Sequence, residues 1–267
     1  MQIEKNVLKK HRVIKSSILN EIDEKSSKIL QILAIGDRKI DNAIKKSGIN
    51  RFEAKKIIKN LIDKNILIKE YSREEPIKKI HPKQKIKKSL KRYHISHKIK
   101  FKNPFFRFWF RYIQPNIKDI KEENFQKILK NIEEDFENFI SFIFEELSNE
   151  LIKERFNDIL STGSYWDKKV ELDILTFFEG GKVLVGECKW KNSKICKKTL
   201  TSLQKKCKVA NIDVDIFALF SKSGFSNGLL KKKDKNLLLF DLEDLKEWST
   251  KKSPYRKKEK LPYSFEF

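Results

Sequence analysis

The sequence predicts an N-terminal helical unit of the helix-turn-helix type followed by an α/β domain that runs helix, three strands, helix, strand. Apolar residues repeat at helical spacing over residues 26–71 and end in a short β-branched run. After the long helical pattern of residues 119–152 the apolar period changes from 3.6 to 2. The length, 267 residues, suits two domains at about 100–200 residues each. The expected division is 1–75 for the helix-turn-helix domain, 76–118 for a basic connector and an aromatic interdomain helix, 119–250 for the α/β domain and 251–267 for a basic tail.

In the first domain Ile29, Leu30 and Leu33, then Ile40, Ala43 and Ile44, mark two helices. Ser47-Gly48-Ile49-Asn50 is a tight turn, with Asn50 placed to cap the next helix and Glu53 three residues on, as in a capping box. That helix carries Ala54, Ile57, Ile58, Leu61 and Ile62 on one face and Arg51, Lys55, Lys56 and Lys59 on the other. A strand begins at Ile66-Leu67-Ile68. Two helices, a glycine turn, a basic helix and a strand make the order of a winged helix-turn-helix, whose second helix of the pair enters the major groove of double-stranded DNA. A small helical bundle with a solvated lysine face has the same pattern.

Charge supports the nucleic-acid reading. Lys and Arg number 60 against 37 acids, a net +23, which favours polyanionic partners. The excess is clustered. Residues 76–103 hold eleven Lys or Arg and no acid, residues 193–212 six Lys and no acid, and residues 135–160 a local −5. The run 76–102 is either a track for phosphates or a solvated connector. The aromatic stretch Phe101, Phe105, Phe106, Phe108, Trp109, Phe110 and Tyr112 reads as a helix buried nearly all round rather than as a stacking platform.

Residues 170–178 read as a strand, Glu179-Gly180-Gly181 as a turn, and residues 182–190 as the returning strand. A hairpin centred on Gly180 sets residues whose numbers sum to about 360 opposite each other, which brings Asp173 across from Glu187. Lys189 shares the Glu187 face, and Cys188 points into the core. Two carboxylates can hold a hard cation such as Mg²⁺, which keeps several waters and accepts phosphate oxygens. The lysine can orient a water or neutralise charge that develops on the phosphate. Asp-x(n)-Glu-x-Lys on a hairpin resembles the PD-(D/E)XK restriction-endonuclease-like core, with Leu172 in place of the proline.

Five further blocks carry a more specific resemblance: residues 103–116, Asp135-Phe-Glu137, Tyr165-Trp166 through Asp173, Gly186–Trp190 and Phe220–Phe225. In this order they resemble the domain of unknown function that follows the ATPase core of archaeal-type AAA ATPases. The resemblance implies a PD-(D/E)XK-like module joined to a winged helix, with an AAA ATPase subunit as a partner. It offers Glu137 as an added metal ligand, although an ordinary helix-surface glutamate reads the same. No G-x-x-x-x-G-K-[ST] loop occurs in the sequence, so the nucleotide-binding half is not here.

Three cysteines without C-x-x-C spacing argue against a disulfide framework and a zinc ribbon, and His94 and His97 lack further ligands. The absence of an apolar leader or a spanning segment points to a cytoplasmic protein with no membrane partner. The expected function is DNA binding with Mg²⁺-dependent phosphodiester hydrolysis. Asp173 and Glu187 would hold the metal, Lys189 would position water, and Arg51, Lys55, Lys56 and Lys59 would contact phosphates. The alternative is a non-catalytic DNA-binding or regulatory module that docks with a separate AAA ATPase.

Overall fold

The computed structural model describes residues 22–36, 38–73, 81, 83–85, 97–232 and 234–251. Most of the basic run 76–96, with His94, and the expected basic tail beyond 251 lie outside the described residues. Contacts divide the chain into two units, Met1–Tyr71 with Ser96–Phe136, and Ser72–Ile95 with Glu137–Phe267.

In the first unit, helix α1 (Glu24–Ile35) starts at Asp23, whose carboxylate accepts the Ser26 N–H at 2.7 Å. Helices α2 (Ile40–Ser47) and α3 (Arg51–Asp63) flank a turn in which Gly48 takes φ 65°, a left-handed conformation that glycine adopts without a Cβ penalty. Asn50 caps α3 by accepting the Phe52 N–H at 2.9 Å. The expected reciprocal capping box is not made: Asn50 reaches the Phe52 N–H rather than that of Glu53, and the Glu53 carboxylate accepts from Lys25 Nζ at 2.5 Å. The apolar stripes of the three helices meet, burying Ile29, Leu30, Leu33, Ala43, Ile44, Ala54, Ile58 and Leu61.

Strand β1 (Leu67–Glu70) follows and pairs antiparallel with β2 (Lys98–Phe101), from Leu67 opposite Phe101 to Glu70 opposite Lys98. The partner strand thus comes from the stretch read as a connector. Ile99 and Phe101 are buried and alternate with lysines at 98, 100 and 102, a period-2 signal only five residues long at the end of a lysine-rich run. Helix α4 (Pro104–Phe108) runs into a π-helical turn (Trp109–Ile113). Trp109, Phe110 and Ile113 pack into this same core, so the aromatic segment is integral to the first unit. A 3₁₀ turn (Gln114–Asn116) and helix α5 (Ile117–Lys121) precede the 31-residue helix α6 (Phe125–Arg155). Residues of α6 up to Phe136 belong to the first unit and the rest to the second.

The second unit is a mixed α/β layer structure. Strands β3 (Ile159–Trp166), β4 (Glu171–Phe178) and β5 (Val183–Lys189) are antiparallel neighbours, and β6 (Ile216–Ser221) and β7 (Leu237–Phe240) extend the sheet in parallel. Parallel neighbours need a crossover, and helix α7 (Lys197–Ala210) supplies the one from β5 to β6. The short helix α8 (Asn227–Leu230) lies in the next crossover, and α9 (Leu242–Lys251) ends the described chain. On one face Phe144, Leu151 and Ile152 of α6 and Leu245 of α9 pack on Ile174, Leu184, Cys188, Ala218 and Phe220. On the other, Leu200, Leu203 and Cys207 of α7 pack on Leu172, Leu175, Val185 and Leu219. Each fully buried leucine contributes roughly 1.5–3 kcal/mol, so both faces hold the strands in register. The free edge of β3 is partly covered: the Arg73 N–H donates to Ser164 O at 3.2 Å and its guanidinium to Thr162 O at 2.6 Å.

Candidate active site

The β4–β5 hairpin has the register expected from Gly180. Phe177 faces Val183, Thr176 faces Leu184, Leu175 faces Val185 and Ile174 faces Gly186. The ladder ends there. Just beyond, the Cys188 N–H donates to the Asp173 carboxylate at 2.7 Å rather than to a β4 carbonyl, while β5 stays paired with β6 as far as Lys189 opposite Ser221. Gly186 lets the strands close up directly before the site, since a Cβ there would stand 3.1 Å from Ile174 Cβ. A local register and a glycine therefore bring Asp173 and Glu187 together.

The Glu187 side chain is only 6% exposed, lying on the α7 face of the sheet. Its Oε1 accepts from Lys189 Nζ at 2.5 Å and from Lys206 Nζ at 3.0 Å, and its Oε2 accepts from Lys206 Nζ at 2.8 Å. A buried carboxylate needs such partners, because burying an isolated charge is costly. Burial, and then the Glu187 charge, push the Asp173 carboxyl up to about 6, against the pull of the Cys188 N–H and of the two lysines. For Lys189, burial opposes the charged form, but the hydrogen bond to Glu187 and the charges of Glu187 and Asp173 outweigh it and raise its pKa.

The four groups form two carboxylates facing two ammoniums. Mg²⁺ is satisfied by one or two protein carboxylates and keeps its remaining waters, so Asp173 and Glu187 suit it as a donor pair. Among the described residues no group of three or more His, Cys, Asp or Glu could hold a metal. Glu137 therefore does not join the pair. It accepts from Lys222 Nζ at 2.7 Å, and Lys222 also lies over the Trp190 ring, 4.8 Å from its centroid. Cys188 is buried in the opposite, α6-facing cluster, where burial pushes its thiol up; all three cysteines are free.

Residues 109–203 match the DUF234 family, described as archaeal and bacterial proteins of unknown function. The chain is also similar to an uncharacterized protein of Methanocaldococcus jannaschii, 28% identical over 228 residues. That alignment covers 81% of this chain and 47% of the relative, so the chain spans about half the length of the curated protein it matches. No solved structure matches it. The family match includes Asp173, Glu187 and Lys189 and stops short of Lys206.

Lys206 escapes sequence reading. It sits beside Cys207, at the border of the Leu200–Leu203–Cys207 stripe, and only that adjacency could have marked it among the lysines of α7. The expected phosphate contacts on α3 divide in two. Arg51 donates to Asp41 at 2.7 Å and Lys59 to Asp63 at 2.7 Å, whereas Lys55 and Lys56 are exposed and have no carboxylate partner among the described residues. Phe52, 80% exposed, stands on the same helix. No described helix is long and apolar enough to cross a membrane.

Proposed function

We propose that this chain binds double-stranded DNA and that its second unit hydrolyses phosphodiester bonds with Mg²⁺, as a nuclease of the PD-(D/E)XK type. The observation that carries this reading is the meeting of Asp173 and Glu187 from neighbouring strands, with Lys189 on the same carboxylate. Asp173 and Glu187 would hold the ion, whose chemistry is to polarise the phosphate and to acidify a bound water. Lys189, 31% exposed, has its ammonium positioned to orient the attacking water or to offset charge on the phosphate. Lys206 keeps the Glu187 carboxylate in place. In the first unit, three helices and a two-stranded ribbon support a winged-helix reading, with Lys55 and Lys56 of α3 free to meet phosphates.

Titrating Mg²⁺ against a labelled duplex is expected to give cleavage that Asp173→Ala and Lys189→Ala each abolish while duplex binding survives. Cleavage unchanged in those variants overturns the assignment. One observation favours the non-catalytic alternative: both Glu187 oxygens already accept from lysine. On that reading the chain is a DNA-binding module that works with a separate AAA ATPase, and no divalent cation raises either cleavage or melting temperature.

A further inference from the structure

We propose that Lys191, Lys194, Lys197 and Lys198 form the surface through which the second unit grips the phosphate backbone of double-stranded DNA, next to the carboxylate pair. Strands β5 and β6 run parallel and end together, at Lys189 and Ser221. Ligands of open α/β sheets gather outside the carboxyl ends of such strands. The chain leaves β5 directly after Lys189 and enters this lysine loop, so the loop starts at the site itself.

The loop is held firmly. Ile195 is buried and forms a parallel bridge with Phe225; its N–H donates to Gly224 O at 3.1 Å, and its carbonyl accepts the Ser226 N–H at 2.9 Å. Ser223 Oγ donates to Lys191 O at 2.7 Å. All four lysines are exposed, and none has a carboxylate partner among the described residues. No acid occurs between Cys188 and Ile212, so their charges add without internal neutralisation. The contrast with α3 is direct, because there Asp41 and Asp63 take up two of the four cations. A fixed loop of uncompensated ammoniums suits a polyanion. An anionic membrane suits it less: Ile195, the loop's aliphatic residue, is buried, and Trp190 is half-buried against Phe144, so the loop exposes no aliphatic side chain to enter lipid.

This proposal rests on the reading above that the ligand is DNA, but not on the DNA being cut. Its test is fluorescence anisotropy with a labelled 20-base-pair duplex in EDTA, using the full chain and the variant with Gln at positions 191, 194, 197 and 198. Affinity is expected to fall about tenfold or more at low salt. The slope of log affinity against log salt is expected to become shallower by about 2–4, near 0.9 for each phosphate no longer neutralised. Arginine at the same four positions is expected to restore both. Four glutamines that leave affinity and slope unchanged overturn the proposal. So does a full chain that binds no duplex, or a loss confined to vesicles of anionic phospholipid. A duplex held through these lysines but never cleaved upholds it and removes the catalytic reading alone.

Discussion

Asp173 pits function against stability at a single residue. Its carboxyl is pushed from 3.8 up to about 6 by burial and by Glu187, so the folded chain prefers the neutral acid. A carboxyl whose folded pKa is raised adds stability below its unfolded value, and that contribution is lost as pH climbs through the folded one. The window is therefore about pH 4 to 6. Above it the chain carries an unfavourable charge that the Cys188 N–H, Lys189 and Lys206 offset only in part and that a bound cation would offset further. Asp173→Asn keeps an oxygen for the Cys188 N–H and removes the charge. In urea unfolding it is expected to be more stable than the parent by about 2–3 kcal/mol at pH 8, with the gain gone by pH 4. A variant less stable at pH 8 would show that the aspartate is held by favourable charge pairing. Such gains from removing a strained charge are common where function keeps it.

At the scale of elements, the first unit depends on how α1 ends. Its last turn has no basic residue, and its final carbonyls lack intrahelical donors. Arg111, only 6% exposed in its side chain, donates to Ala34 O at 2.7 Å and to Ile35 O at 2.8 Å, and also forms a two-pronged pair with Asp135. Tyr112 Oη donates to the same carboxylate at 2.8 Å, and burial followed by that bond raises the phenol pKa well above its ordinary value. One guanidinium thus ties the π-helical turn, the end of α1 and the start of α6. Arg111→Met leaves Asp135 and two carbonyls without this donor and is expected to cost about 3 kcal/mol in chemical denaturation; a loss below about 1 kcal/mol refutes the clamp.

Legibility in the sequence follows from such elements. Helices α1–α3 and the β4–β5 hairpin announce themselves, because their apolar period, turn residues and register are all local. Strand β3 does not: Ser161, Thr162, Gly163 and Ser164 break its alternation, and its buried polarity is satisfied at a distance, by Thr162 Oγ1 with Asn149 at 2.8 Å and with Thr176 at 2.7 Å. Asp173, Glu187 and Lys189 could be paired from hairpin arithmetic, whereas Lys206 reaches Glu187 only through packing of a helix on a sheet. Asp135 shows the opposite failing, since a residue quoted for its family resemblance proves to hold Arg111.

The whole molecule carries a net charge of +23, and its acids are unevenly spread. Among the described residues the pairs Lys25–Glu53, Arg51–Asp41 and Lys59–Asp63 are exposed on both sides, and such pairs add little stability. Unpaired lysines within α3, and likewise those within the loop after β5, then repel their own neighbours, which disfavours the folded state of each unit. Added salt screens that repulsion over a Debye length of about 10 Å at 0.1 M and equally screens attraction to phosphate. Salt should therefore act in opposite directions on two properties of one chain. Between about 50 and 300 mM NaCl the melting temperature is expected to rise while duplex affinity falls steeply, near-linearly on logarithmic axes. Scanning calorimetry and anisotropy in matched buffers measure both. If stability instead falls with salt, the surface charge must be balanced by attraction within the fold, and the lysines would not be held in reserve for an external polyanion.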